Sequence, residues 1–462
     1  MEKFINRKKE LNALLKEYKR ETASFVVIYG RRRVGKTALI NEFCKDKRKL
    51  FFLATEESDA ENRNSFKNAA ADFLDNQLLQ EASLESWELV FDLIAESCNS
   101  KLERLILVLD EFQYLGKANP AFPSILMGIW ERKLKDKNIM LILSGSLIHM
   151  MTSQVLSYDS PLYGRRTAQM KIQQIAFEHY VEFMPGLSEE ELILRYAVTG
   201  GIPKYIELFQ NEDDIYQAIC NNVMSRSAFL YAEPEFLLQK EVSEIGSYFS
   251  ILKTIAAGNH KLGKIAGVLN VKQTSLMKYL KVLVDLDVIE REVPITEENP
   301  EKSKKGLYFI KDNFIKFWFR FIYPYKGMLE ADQDEFVLQK IKNNFIDNHV
   351  SYIYENICRQ KMWQLIDRGF SFNRVGRWWG SQDVEIDIVA YDSMGDSIIF
   401  GECKFSKKPK GMDVLQDLKE KSYAVLWKNH ERKEHFAIFS KGGFTKELKD
   451  YAAAYSNILL LE

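Results

Sequence analysis

Short, continuous apolar runs alternate with amphipathic stretches along the first half of the chain. Phe25-Val26-Val27-Ile28-Tyr29, Leu105-Ile106-Leu107-Val108-Leu109 and Ile139-Met140-Leu141-Ile142-Leu143 each hold five apolar residues in a row. Runs without alternation predict strands buried on both faces, as in a parallel sheet. Phe51-Phe52-Leu53 predicts a shorter one. Leu11, Leu14, Leu15 and Tyr18 share a helical face, and residues 61–100 read as amphipathic helices. Beyond residue 240 the pattern changes. Helices are predicted over 250–257, 261–269 and 274–283, the last with Leu276, Leu280 and Leu283 as its core face. Strands at 288–293 and 306–310 then pair around the loop 294–305. The aromatic density of 312–321 predicts an interdomain core, and Pro324 marks a boundary. In the last third, Phe345, Ile353 and Ile357 lie at helical spacing, with Glu355 near their rim. Residues 384–390 alternate as a half-buried strand, turn chemistry follows at 392–396, and 397–405 predicts a second strand.

Chemistry gathers where the first strands end. After the run 25–29 comes Gly30-Arg31-Arg32-Arg33-Val34-Gly35-Lys36-Thr37, then a helical stretch beginning at Ala38. Strand, glycine-bounded loop and helix is the context of a phosphate-binding loop. Gly30 and Gly35 allow successive N–H groups to face one concavity, at a helix N-terminus that favours an anion. Lys36 is placed to reach β- and γ-phosphates, and Thr37 to put a hydroxyl on Mg²⁺. The run 105–109 ends in Asp110-Glu111, acids at the strand end where ligands bind in open α/β sheets. Asp110 can hold Mg²⁺ through water and Glu111 can polarise the attacking water. The run 139–143 ends in Ser144-Gly145-Ser146, and Ser144 or Ser146 is the candidate for touching the γ-phosphate or that water.

These residues carry a resemblance to the archaeal-type ATPase family of the AAA+ superfamily. The shared elements are Asn6-Arg7-Lys8-Lys9-Glu10-Leu11, the phosphate loop, Asp110-Glu111-Phe112-Gln113-Tyr114-Leu115, the Ser144-Gly145-Ser146 strand end, Pro161-Leu162-Tyr163-Gly164-Arg165-Arg166 and Gly200-Gly201-Ile202-Pro203-Lys204-Tyr205. The resemblance implies an α/β P-loop NTPase fold, a parallel sheet with a helical lid over residues 1–235. ATP and Mg²⁺ are the implied cofactors, with residues 30–38 cradling the nucleotide. It makes Arg165 or Arg166 the candidate arginine finger, acting on the chain's own ATP or a neighbour's. A second-sensor arginine has no match in the sequence.

Residues 236–325, three helices and a hairpin, resemble a winged helix-turn-helix. Residues 251–280 hold Lys253, Lys261, Lys264, Lys272 and Lys278 and no acid, and the loop 294–305 adds Lys302, Lys304 and Lys305. A basic stripe along a recognition helix is the footprint of nucleic-acid contact. The candidates are Lys272, Gln273, Thr274, Ser275, Lys278 and Lys281. Residues 326–462 resemble the PD-(D/E)xK nuclease superfamily, an α/β restriction-endonuclease-like fold. Alternation puts Glu402 and Lys404 on one strand face, with Asp387 on the neighbouring strand. By this resemblance Glu355, Asp387 and Glu402 would bind metal, while Asp387, Glu402 and Lys404 would serve catalysis. Ile386 stands where the motif has proline.

The remaining bounds are broad. At 462 residues, two to four domains are expected. A net charge of −1 makes no global case for nucleic acid, so local patches must carry it. The five cysteines show no CxxC spacing, against zinc fingers or a disulfide framework. No apolar signal segment opens the chain, and no apolar run approaches the ~18 residues that span a membrane. The expectation is a cytoplasmic, DNA-directed ATPase with nuclease potential, whose partners are ATP or ADP, DNA, and a second copy or another protein. The alternative is a nucleotide-switched DNA-binding or scaffold protein whose C-terminal domain is inactive.

Overall fold

The computed structural model describes residues 4–83, 85–98, 103–380 and 384–462. Its contacts divide into two units. The first comprises residues 1–183 with Gly201–Lys204 and Leu237–Ser243; the second comprises 184–200, 205–236 and 244–462.

The first unit is built on β1 (Ser24–Tyr29), β2 (Lys49–Leu53), β3 (Leu105–Asp110), β4 (Ile139–Gly145) and β5 (Ala168–Lys171), all parallel in the order β2-β3-β4-β1-β5. Every residue of β3 and β4 is buried, which is why their sequences run apolar without alternation. Helices Lys8–Tyr18, Lys36–Phe43, Asp59–Leu74, Trp87–Ser97 and Phe122–Ile129 accompany the sheet. One core joins Phe25, Leu107, Leu109 and Leu141 to Phe66, Trp87, Phe91 and Phe122. Ring pairs fix it, including Phe66–Phe91 at 5.0 Å and Trp87–Phe122 at 4.7 Å. Because β4 lies between β1 and β3, the phosphate loop, the β3 acids and the β4 serines all emerge at one end of the sheet.

The second unit holds the helix Glu189–Thr199, begun by a capping box in which Ser188 and Glu191 exchange hydrogen bonds. Helices Ile245–Ala256, Leu262–Leu269 and Gln273–Asp285 follow, then an antiparallel hairpin of β6 (Ile289–Glu292) and β7 (Leu307–Ile310). Leu276, Leu280 and Leu283 are buried as their spacing predicts. The loop 294–305 does not stand free. Ile295 N–H donates to Arg377 O at 2.9 Å, Trp378 Nε1 to Thr296 Oγ1 at 3.1 Å and Trp379 Nε1 to Lys305 O at 3.2 Å. The wing lysines therefore belong to a segment tied to the next sheet, which the sequence pattern did not indicate.

That sheet contains β8 (Arg374–Trp379), β9 (Glu385–Tyr391), β10 (Ser397–Lys404), β11 (Lys433–Ser440) and β12 (Ile458–Leu461), in the order β12-β11-β10-β9-β8. β8, β9 and β10 are antiparallel; β10, β11 and β12 are parallel, joined through helices Met412–Ser422 and Lys446–Ala454. The aromatic segment is core, as expected: Phe314, Phe317, Trp318 and Phe319 are at most 1% exposed. Trp318 Nε1 donates to Tyr231 O at 2.7 Å, and Asn313 Nδ2 to Tyr196 O at 3.1 Å. These bonds knit 196–231 to 313–318, so the sequence boundaries at 235 and 325 fall inside the second unit. Among the described residues no helix is long and apolar enough to cross a membrane.

Candidate functional sites

The loop from Gly30 to Gly35 turns because its glycines are the only residues that fit. Gly30 has φ 151°, and a Cβ there would lie 2.5 Å from the carbonyl oxygen of Ile172. The loop is braced from a distance. Arg7 is buried, and its guanidinium donates to Val34 O at 3.0 Å and Gln173 O at 2.5 Å. The Asn6-Arg7 opening thus holds the loop, a role its position before a surface helix did not signal. The Gly201-Ile202-Pro203 segment also reaches it: Gly201 O accepts from Ile175 N–H at 2.8 Å, and Pro203 Cγ lies 3.9 Å from where a Gly35 Cβ would stand.

Lys36 opens the helix Lys36–Phe43, its ammonium donating to Gly30 O at 2.8 Å and Arg31 O at 2.9 Å. Burial lowers its pKa to about 8, opposed by Glu111 and Asp110. Thr37 Oγ1 donates to Asp110 Oδ2 at 2.9 Å. The two groups expected to hold Mg²⁺ are therefore in hydrogen-bond contact, the arrangement a metal-bound hydroxyl and carboxylate need. Glu111 lies just past β3 with φ 52°, outside the strand conformation. Its Oε2 accepts from Ser146 Oγ at 2.6 Å and from the Gln113 side-chain amide. Ser146, rather than Ser144, is the serine that touches Glu111. The Ser144 hydroxyl is buried with no hydrogen-bond partner. Arg32 donates to Tyr114 OH at 2.7 Å.

Arg165 and Arg166 lie far from this loop. Thr167 N–H donates to Phe25 O at 2.7 Å, and Phe25 precedes Gly30 by five strand residues, roughly 16 Å. Arg165 Nε pairs with Glu131 Oε1 at 2.5 Å, and Arg166 lies over the Tyr163 ring at 5.3 Å. That separation exceeds the reach of an arginine side chain, so neither serves the chain's own nucleotide.

In the second unit, Lys272, Gln273, Thr274, Ser275, Lys278 and Lys281 are all exposed. The helix Gln273–Asp285 therefore presents the six candidates to solvent while its leucines face the core.

The C-terminal carboxylates meet where two strands part. β9 and β10 pair as far as Ile388 and Gly401. One step on, Asp387 Oδ2 accepts from Cys403 N–H at 2.9 Å, the side chain taking the place of a backbone partner. Glu402 is 3% exposed; its Oε1 accepts from Lys404 Nζ at 2.6 Å, and Lys421 Nζ stands 3.4 Å from its Oε2. Burial, then the charge of Glu402, pushes the Asp387 carboxyl up to about 6, against the Cys403 N–H and Lys404. Glu355 is held elsewhere. Arg377 Nη2 lies 3.2 Å from Glu355 Oε2 and 2.6 Å from Glu385 Oε1. Burial, then Asp387, pushes Glu355 up to about 8. Among the described residues no three His, Cys, Asp or Glu side chains gather as a metal ion requires. Asp387, Glu402 and Lys404 come together, but Glu355 stays with Arg377. Arg377 and Lys421 went unread because a charged residue on a strand or helix has the pattern of a solvated face.

Residues 4–209 match an ATPase domain found predominantly in Archaea, and residues 318–421 match archaeal and bacterial proteins of unknown function. An uncharacterized protein of Methanocaldococcus jannaschii is 35% identical over 453 residues, covering 97% of this chain and 98% of its own. An uncharacterized ATP-binding protein of the same organism is 47% identical over 45 residues, 10% of this chain and 76% of its own. The Walker-type ATPase of Pyrococcus abyssi superposes with a TM-score of 0.54 at 20% identity, over 69% of this chain and 96% of its own. The likeness to that structure is one of fold.

Proposed function

The chain belongs to the family built on the ATPase domain found predominantly in Archaea, and from that premise we propose that it is an ATP-hydrolysing protein acting on DNA, with a metal-dependent phosphodiester-cleaving site in its C-terminal part. The observation that carries the ATPase reading is the Lys36, Thr37–Asp110 and Glu111–Ser146 constellation at one sheet end. Mg²⁺ held by Thr37 and Asp110 would supply charge neutralisation at the phosphates. Lys36 binds and orients the phosphates, and Glu111 takes the proton of the attacking water.

The second half of the reading rests on the resemblance of three helices and a hairpin to a winged helix, and on the Asp387–Glu402–Lys404 grouping. The antiparallel β8–β10 and parallel β11 support the restriction-endonuclease-like comparison. Asp387 and Glu402 would hold a divalent ion that lowers the pKa of a bound water. Lys404 would orient that water or steady the developing charge. Lys407 and Lys408 are exposed on the loop that follows, charge that a phosphate backbone would meet. One observation favours the alternative of a nucleotide-switched binding protein: Glu355 pairs with Arg377 and does not join the other two carboxylates.

Incubation with plasmid and linear DNA, with ATP and divalent metal varied independently, separates the two readings. Metal-dependent nicking that Asp387→Ala abolishes supports cleavage. The same variant should erase the stabilisation by Mg²⁺ or Mn²⁺, a ligand that binds only the folded state, in a melting experiment. Cys403→Ala should alter neither. Nicking by Asp387→Ala at the wild-type rate excludes this site. For DNA contact, Lys272, Lys278 and Lys281 changed together to Glu should weaken binding across sequences and flatten its salt dependence. Unchanged binding at low salt would move the DNA face off this helix.

A further inference from the structure

The segment Leu237–Ser243 follows the helix Glu233–Gln239 and leads to Ile245–Ala256, yet it packs with the first unit. It is pinned there. Leu238 is 2% exposed, and its carbonyl accepts from both Glu241 N–H and Val242 N–H at 3.0 Å, closing a tight turn. Lys240 Nζ lies 3.0 Å from Glu56 Oε2, whose other oxygen pairs with Lys117.

The turn aims Glu241 at the nucleotide site. Its carboxylate accepts a hydrogen bond from the backbone N–H of Ile148, just past the Ser144-Gly145-Ser146 strand end, and lies within electrostatic reach of Arg31, Arg32 and Lys36. Burial pushes its carboxyl up to about 7, against those three cations. The opposing charges at the site are Asp110 and Glu111, which with Glu241 act on Lys36. No phosphate-loop chemistry needs a third carboxylate here. A carboxylate between the loop cations and the end of β4 stands on the ground that a terminal phosphate faces, since the loop lysine reaches the β- and γ-phosphates.

We propose that Glu241 is the residue by which this site discriminates ATP from ADP: its carboxylate draws on the cations that a γ-phosphate needs, so that ADP binds with Glu241 in place and ATP must displace it. The inference rests on the ATPase reading. Two anions crowded into one poorly solvated site repel unless each has its own cation. ADP, ending at the β-phosphate, leaves Glu241 its partners. Displacing Glu241 also pulls on the Leu237–Ser243 turn, so nucleotide state is felt in the chain that leads to the helix Ile245–Ala256.

The test is calorimetric binding of Mg·ADP and of a non-hydrolysable Mg·ATP analogue to the full chain. Glu241→Gln keeps the size of the side chain and removes the charge. It should tighten the ATP analogue about tenfold, the effect of roughly 1.4 kcal/mol of relieved repulsion, and change ADP affinity less than about twofold. Lys240→Ala loosens the turn with Glu241 intact and should shift the same ratio in the same direction by a smaller factor. Equal shifts for both nucleotides in Glu241→Gln, or none for either, overturn the proposal while leaving the ATPase reading standing. Failure of the wild type to bind either nucleotide overturns both.

Discussion

Glu111→Gln should lower ATP turnover about a hundredfold while nucleotide affinity stays within about twofold of wild type. A positioned general base contributes roughly 10² to 10⁴ in rate, and the amide keeps the shape while losing the basic oxygen. The geometry makes the split sharp. Glu111 sits beyond β3 in a left-handed backbone conformation, its carboxylate fixed by Ser146 and Gln113. Neither contact touches Lys36 or Thr37, so binding and turnover separate by residue. Lys36→Ala should do the converse and weaken nucleotide affinity by roughly tenfold to a hundredfold, the loss of one charge-assisted contact of about 1.5–3 kcal/mol. Its ammonium now donates to two carbonyls of its own loop, so the variant also loses a brace of the empty loop. Phosphate release at saturating ATP and nucleotide-binding isotherms measure the two effects. Wild-type turnover in Glu111→Gln would remove Glu111 from the water-activating role.

The parts of this site that were legible in the sequence are those whose chemistry is local. Gly30, Gly35, Lys36 and Thr37 are diagnostic because a phosphate cradle is made by consecutive backbone groups. The acids at the end of β3 were legible because a buried parallel strand announces where it stops. The residues that escaped reading act across long sequence separations. Arg7 braces Val34 and Gln173, 27 and 166 residues away. Glu241 reaches the loop from two hundred residues downstream, and nothing around it distinguishes it from a surface acid. Which serine served Glu111 was left open because both lie on one strand end, and only the turn after Gly145 brings Ser146 to it. In the second unit the alternation of 384–390 and 397–405 placed Asp387, Glu402 and Lys404 correctly relative to one another. The same alternation could not show that Arg377, on the strand beyond, would claim Glu355. Nor could it show that 294–305 would be tied to β8, because that docking depends on Trp378 and Trp379, more than seventy residues later.

Acid should destabilise the second unit through one buried histidine. His349 is wholly buried among Phe317, Phe321 and Phe345, with Nε2 bonded to Ala197 O at 2.8 Å and Nδ1 without a partner. Burial, then the neighbouring charge of Lys316, lowers its pKa to about 3, with Arg320 adding to the effect and the Ala197 bond opposing it. The folded value thus lies below the ordinary value of 6.5, so the unfolded chain takes up the proton first as pH falls. The contribution of neutral His349 is complete above pH 6.5 and is lost from there toward pH 3, at about 1.4 kcal/mol for each pH unit. By pH 4.5 the loss is about 2–3 kcal/mol, a fall of roughly 5 °C or more in melting temperature for a domain of this size. His260, lowered to about 4 chiefly by burial, acts in the same direction but is partly solvated and contributes less. Glu355 and Asp387 act in the opposite sense. Their folded values are raised, so the folded state holds their protons more tightly and gains stability as pH falls through the same window. The wild-type curve therefore sums opposed slopes, and the informative quantity is its difference from His349→Gln. Glutamine can still donate to Ala197 O but does not titrate. The variant should lie below wild type at pH 7.5, where repacking costs show, and close that gap steadily between pH 6.5 and 4.5. Parallel melting curves across that window would mean that His349 is solvated or already charged in the folded protein.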